Sequence, residues 1–397
     1  MTAVEHLGGS PVPAAASGRP AVGAARRARV DAGVTELLTW LDDQLQTGLA
    51  RVQNRSAERF TAMAARLIDA QAPGLAGRIR GLNGVAASGT GWNERMLAEL
   101  AQLYALAIAH QRLDELPGPL AAAVAAHVGY PTSKAGVLAG PGVREAWQVI
   151  GRREEADGVL TRRRTWLQGR RTGRPALLLT FSTRGERPQD DTPPVGAHVD
   201  AELHFYPDDL RALLGARQDV PDTWPGGPPD GGAPECGGAP ECGGAPECDG
   251  APECDGAPEC DGAPECGGAP ERTGEPATVS VAELRRRWSA GLARDPWLGR
   301  YPAVLSMAPV LDAGAAPGDP PWLWVDADGE VLPDVRGPSI RPARAARSHA
   351  EGPDLRWVAL AVGGGEPVTV SAEVSDHGML PLAVWTPDGV VTADVVP

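Results

Sequence analysis

The period of the apolar residues changes once along this chain, and that change bounds what it can fold into. From Gly33, "GVTELLTWLDDQLQTGLARVQ" places Val34, Leu37, Leu38, Leu41, Leu45, Leu49 and Val52 on one stripe at the 3.6-residue helical repeat. "SAERFTAMAARLIDAQAPGLAGRIRGL" repeats the pattern with Phe60, Met63, Ala64, Leu67 and Ile68, is broken by Pro73-Gly74, and resumes with Leu75, Ile79 and Leu82. A further helix follows Asn93, read as its N-cap, with Met96, Leu97, Leu100, Leu103, Tyr104 and Ile108 inward. Shorter helices are expected over Leu120 to Val128 and Val143 to Ile150. Arg66, Asp69 and Gln71 read as a solvated helix face.

After "AWQVIGRREE" the period drops to two, that of a strand with one face buried. "GVLTRRRTWLQG" and "RPALLLTFST" read as two strands joined by the turn "GRRTGR". In "GAHVDAELHFYP", Val199, Ala201, Leu203 and Phe205 alternate with His198, Asp200, Glu202 and His204. That polar face suggests metal ligands, but alternate residues lie ~6.6 Å apart and the two histidines about 20 Å apart, so one ion cannot collect all four. Further along, "VAELRRRWSAGLARDPWLGRYP" predicts a helix ending before Pro296. Strands are expected in "AVLSMAPVL", "PWLWVDADGEVLPD", "DLRWVALAVGGGEPVTVSAEV" and "MLPLAVWTPDGVVTADVV". Asp326 and Asp328 resemble the start of a calcium loop but have no Glu at its twelfth position, so the stretch reads as a turn.

Between these regions, residues 231–272 repeat a Gly/Asp-Gly-Ala-Pro-Glu-Cys hexapeptide that contains all six cysteines of the 397-residue chain. No unit has an aliphatic side chain larger than Ala, so burial cannot offset the entropy of ordering, and a disordered spacer is expected. In polyproline II successive sulfurs would be roughly 19 Å apart, whereas zinc needs thiolates converging at ~2.3 Å from C-x(2–4)-C turns. Six cysteines in identical surroundings also leave all disulfide pairings open.

The formal charge is −14, unevenly spread: residues 1–175 carry 22 Arg/Lys against 15 Asp/Glu, and the rest 15 against 36. Arg162, Arg163, Arg164, Arg170, Arg171 and Arg174 gather on the predicted hairpin with Trp166 among them. Guanidiniums beside a stacking aromatic suit phosphates and bases, which makes these seven residues the candidate nucleic-acid or partner site. Strand alternation nevertheless sends Arg163 to the opposite face from Arg162 and Arg164. His110, His127, His349 and His377 show no ligand spacing. No phosphate-binding loop, dinucleotide fingerprint, nucleophile elbow or H-E-x-x-H motif occurs. Without a basic, apolar leader or a membrane-length apolar run, a cytoplasmic protein is expected.

The blocks "ARRARVDAGVTELLTWLDDQLQTGLA", "MAARLIDAQAPGLAGRIR", "WQVIGRREEADGVLTRRRTWLQGRRTGRPALLLTF", "DAELHFYPDDLRALL" and "LARDPWLGRYPAVL" resemble the region C-terminal to the zinc finger in actinobacterial SWIM zinc finger family proteins. An actinobacterial source also fits a chain with one lysine, Lys134, among its 37 basic residues. The resemblance implies zinc binding and DNA or protein binding for the family. It further implies association with a MoxR-type AAA ATPase and a von Willebrand A-domain protein. The family's C-x-C…C-x-H ligand set does not occur in this chain. No metal ligand is carried over, and a misplaced start codon, a finger on a separate polypeptide or a lost finger would each account for that.

The expected fold is α+β, an N-terminal all-α helical module followed by a β-rich module interrupted by a long disordered insert. The expected divisions are a disordered segment at 1–30, the helical module at 31–150, β-rich parts at 151–220 and 280–397, and the linker at 221–279. The expected function is a non-enzymatic interaction or adaptor protein. The alternatives are a nucleic-acid-binding accessory protein using the arginine hairpin, and an uncharacterised hydrolase.

Overall fold

In the computed structural model the described residues are 23–48, 52–88, 91–157, 160–183, 193–207, 210–218, 274–314, 322–335 and 353–393. The cysteine tract lies outside them, as do residues 1–22.

Five helices come first: α1 (Ala24–Thr47), α2 (Val52–Asp69), α3 (Pro73–Ala86), α4 (Trp92–Gln111) and α5 (Gly118–Val128), followed by the short α6 (Lys134–Leu138). Val30, Val34, Leu37 and Leu41 of α1 pack with Phe60, Met63 and Leu67 of α2, Leu75, Ile79 and Leu82 of α3, and Met96, Leu100 and Leu103 of α4. Helix α1 begins seven residues inside the segment expected to be disordered. Helix α4 starts at Trp92 after a left-handed Gly91, so Asn93 is inside the helix and does not cap it. Helices α2 and α3 are separated at Gln71, which takes φ 63°, and Pro73 opens α3. There the backbone of α3 touches the end of α5: a Cβ on Gly74 would sit 2.1 Å from the His127 carbonyl oxygen.

Residues 142–218 form a sheet in the order β3-β2-β1-β4-β5, all neighbours antiparallel. Its strands are β1 (Gly142–Asp157), β2 (Leu160–Gly169), β3 (Pro175–Thr183), β4 (His198–Phe205) and β5 (Ala212–Gln218). The helix expected over Val143 to Ile150 is therefore the first half of β1. Its apolar spacing mimics a helix because Trp147 and Val149 fill the sheet's concave core while Ile150 faces a different one. The first half of β1 pairs with β4 and the second with β2, with a bulge between Val149 and Gly151. The edges then meet: Leu177 N–H donates to the Leu210 carbonyl at 2.7 Å, beside a parallel bridge from Leu177 to Arg211.

The remainder repeats this connectivity. Helix α7 (Val281–Leu292) precedes β6 (Tyr301–Leu311), β7 (Trp322–Val325), β8 (Val331–Pro333), α8 (Leu355–Gly363), β9 (Val368–Ser375), β10 (Gly378–Thr386) and β11 (Gly389–Thr392). Strand β6 pairs with β9 through its first half and β7 through its second, β7 with β8, and β9 with β10, while β8 meets β10 by a parallel bridge from Asp334 to Met379. Both sheets thus have the strand order of an OB-type barrel, a five-stranded, partly open Greek-key barrel. Strand β11 is an addition to the second.

The stretch "DLRWVALAVGGG", expected as strand, opens with α8. Asp354 caps it by accepting from Arg356 N–H at 3.1 Å, and the left-handed Gly364 ends it. The expected helix α7, the β2–β3 hairpin, and the turns at Asp328-Gly329 and Asp388-Gly389 are all present.

Two joints hold the three bodies together. The barrels meet through Ile150, Trp166, Val304, Leu382, Ala383 and Trp385. Gly151 at the β1 bulge makes room, since a Cβ there would lie 2.5 Å from Leu382 Cδ1. The second joint is the loop between α7 and β6, which sends Trp297 into the helical core.

Candidate functional site

The barrel seam collects the charged side chains that the hairpin brings with it. On β1 and β2 the register places Glu155 opposite Arg162, and Arg153 opposite Arg164. Arg162 Nη2 donates to Glu155 Oε2 at 2.7 Å, and Arg164 lies 3.7 Å from the same carboxylate. From the second barrel comes Glu373 of β9, whose buried carboxylate accepts from Trp166 Nε1 at 2.8 Å, Arg300 Nη1 at 3.0 Å and Arg153 Nη1 at 3.2 Å. Arg300 Nη1 also donates to Glu155 Oε1 at 2.9 Å.

Four guanidiniums, Arg153, Arg162, Arg164 and Arg300, therefore share two carboxylates. Burial acts to raise the Glu155 pKa, but Arg164, Arg300, Arg153 and the bond from Arg162 together bring it down to about 2. The Nε atoms of Arg162 and Arg164 are buried with no hydrogen-bond partner. In this cluster donors outnumber acceptors.

The seven candidate residues divide among five environments. Arg162, Arg164 and Trp166 share the outer face of β2, and Trp166, 1% exposed, is enclosed at the seam. It offers no open ring to a base. Arg163 points the other way, as alternation requires, and pairs with Glu154 with its Nε at 2.8 Å. Arg170 donates to His198 Nε2 at 2.9 Å; burial first, then Arg170, lowers the His198 pKa to about 4. Arg171 gives its backbone N–H to Glu145 Oε2 at 3.0 Å, and the Arg174 guanidinium lies 3.5 Å from the centre of the Phe205 ring.

Glu155, Arg153, Arg300, Glu373 and the half-exposed Phe181 were not among the sequence candidates. "RREE" and "RRR" flank the turn of one hairpin, and this signals the Glu155–Arg162 and Glu154–Arg163 pairs. Nothing local signals Glu373 or Arg300, which arrive from more than 130 residues away.

Two histidines that lack sequence context acquire partners. His127 Nε2 lies 2.9 Å from both carboxylate oxygens of Asp295, and Arg78 Nη2 lies 3.1 Å from its Nδ1, so both ring nitrogens are engaged. Trp297 Nε1 donates to the Gln102 carbonyl at 3.1 Å. The sequence "DPW" is thus the latch between the α7–β6 loop and the helices. His110, fully buried, lies 2.9 Å from Asp31 Oδ1, and burial lowers its pKa against that bond.

The strand face of His198, Asp200, Glu202 and His204 does not converge: Asp200 pairs with Arg144 at 3.4 Å, and His204 Nδ1 lies 3.0 Å from the Gly140 carbonyl oxygen. Among the described residues no group of three or more His, Cys, Asp or Glu could hold a metal ion. The zinc implied by the family resemblance does not fit these residues. Asp326 accepts from the N–H groups of Asp328 and Glu330 at 3.0 and 2.8 Å, which makes a turn. No described helix is long and apolar enough to cross a membrane.

Residues 25–128, running from the start of α1 to the end of α5, match the family model of the SWIM-associated four-helix bundle domain. These helices are similar to that domain. This supports the resemblance to the C-terminal region of SWIM family proteins. No curated protein and no solved structure matches the chain. Trp297, Asp295 and the OB-type barrels lie outside the matched residues, so the matched helices are here the partner of a latch that the later part of the chain supplies.

Proposed function

We propose that this protein is a non-enzymatic adaptor whose SWIM-associated bundle docks a partner helix. One observation carries this reading. Asp31 of α1 bonds His110 of α4, and Arg27 pairs with Asp114 at 3.6 Å, so the two helices run antiparallel with Leu38 level with Leu103 and Leu45 with Met96. Leu38 is half-buried against the bundle core, while Leu45 of α1 and Leu97 and Tyr104 of α4 are left open. Leu45 is 53%, Leu97 51% and Tyr104 41% exposed. Exposed apolar residues at helical spacing on two neighbouring helices suit the docking of a third, amphipathic helix.

By the family resemblance the partner is a MoxR-type AAA ATPase or a von Willebrand A-domain protein. The test is co-expression of the full chain with each, followed by size-exclusion chromatography. A complex lost on Leu45→Glu plus Leu97→Glu, with helical content unchanged, supports the reading; a complex indifferent to both substitutions refutes it.

A second reading, nucleic-acid binding through the arginine hairpin, is favoured by one placement. Arg162 stands opposite Phe181 in the β2–β3 register, on the outer face of a barrel with OB strand order. Retardation of labelled oligonucleotides that weakens with salt would support it.

A further inference from the structure

We propose that the outer face of β2 and β3 around Phe181, Arg162 and Arg164 binds single-stranded nucleic acid, the base on the ring and the phosphates on the guanidiniums; this rests on the second reading above. The seam covers only part of that face. Trp166 and its strand partner Leu177 lie in the contact between barrels, whereas further along the same face Phe181 is 50% exposed and Leu160 41%. Arg162 and Phe181, directly opposed on antiparallel strands, have Cβ atoms about 5 Å apart, so one ligand can touch both side chains.

Electrostatics favours an anion there. The cluster behind Arg162 sets four guanidiniums, of Arg153, Arg162, Arg164 and Arg300, against two carboxylates. Arg162 and Arg300 keep about a third of their side-chain surface open to solvent. The two carboxylates lock these arginines in place, so a ligand meets cations whose ordering cost is already met. A half-open ring on a strand, next to fixed cations, is how single strands are held without sequence reading: every unpaired base has a π-face, whereas a duplex hides its bases. An acidic peptide would meet the same cations but has no planar group for Phe181.

The experiment is fluorescence anisotropy of the full-length protein with a labelled deoxythymidine oligomer, a matching duplex, and poly-glutamate as competitor, at graded salt. We expect the single strand to bind more tightly than the duplex. Phe181→Ala should weaken it by about tenfold, the value of one base–aromatic stack. Arg162→Gln should lower the slope of log affinity against log salt by about 0.7. Phe181 is exposed, so its variant keeps the fold, and melting curves of both variants establish that.

If neither probe binds at low salt, the nucleic-acid reading falls along with this site. Binding that persists unchanged in both variants removes this site and leaves the reading to another surface. Should poly-glutamate displace the oligomer while Phe181→Ala changes nothing, the face takes acidic peptides and the proposal is overturned.

Discussion

Trp166 Nε1 donates to Glu373 Oε1 at 2.8 Å, from β2 of one barrel to β9 of the other, across 207 residues of sequence. The carboxylate that accepts this bond also anchors Arg153 and Arg300. Removing it leaves four guanidiniums to share the single carboxylate of Glu155, and deleting one partner of a buried pair costs about 3–5 kcal/mol. Glu373→Ala should therefore lower the denaturation midpoint strongly. Glu373→Gln, which can still accept from Trp166, should lose less. Urea unfolding followed by tryptophan fluorescence measures both.

Acid should weaken the fold in two windows. His198 has a folded pKa of about 4 against an ordinary 6.5, so the unfolded chain binds its proton first and stability falls as pH drops from about 6.5 towards 4. Glu155, at about 2 against 4.5, contributes stability above pH 4.5 that is lost as pH falls towards 2. Its shift corresponds to about 3 kcal/mol. Melting temperatures of wild type and Glu155→Gln across pH 3–7 give the check: the variant should be less stable near neutrality and the difference should shrink in acid.

The latch at Asp295 and Trp297 couples the bundle to the barrels. Trp297→Ala empties a buried site in the helical core and should cost about 3–5 kcal/mol there. Asp295→Ala removes the acceptor of His127 and of the Trp297 N–H without opening such a cavity. Calorimetry should show one transition dividing into two in both variants, with the bundle's the lower. A single unshifted transition would contradict the latch.

Helix α3 offers a paired comparison. Gly74→Ala would press a methyl against the His127 carbonyl at 2.1 Å and should destabilise the bundle or prevent its folding. Gly77→Ala, three residues on, meets nothing within 4 Å and should stabilise it by up to about 1 kcal/mol. Circular dichroism melts separate the two.

Residues 231–272 are read as a spacer, so deleting them, or replacing all six cysteines with serine, should leave the melting temperature and the metal content of reduced protein unchanged. Stoichiometric zinc retained against a weak chelator, and lost with the cysteines, would contradict this.

Much of the helical part was legible. Val34, Leu37, Leu41, Phe60, Met63, Leu67, Leu75, Ile79 and Leu82 are buried where the 3.6 period puts them. The same stripe also included Leu45, Leu97 and Tyr104, which stay exposed, because periodicity marks a face as apolar without saying whether anything covers it. Helix α8 carried readable signals in Asp354 and Gly364. They were outweighed by the apolar run "WVALAV", which suits a strand equally. Strand β1 was misread where it passes between two cores, since a strand buried on both faces loses its alternation.

Sequence alone determined the run of helices α1 to α5, the change to strands after them, and the β2–β3 hairpin that carries the arginines. Those follow from contacts between near neighbours, which local spacing encodes. Only the tertiary structure decided that the strands close into two barrels of one topology, that Trp166 is enclosed, and that Glu373 and Arg300 complete the charge cluster. Partners so distant in sequence meet because apolar faces are buried against whichever surface complements them, and no local pattern records which surface that is.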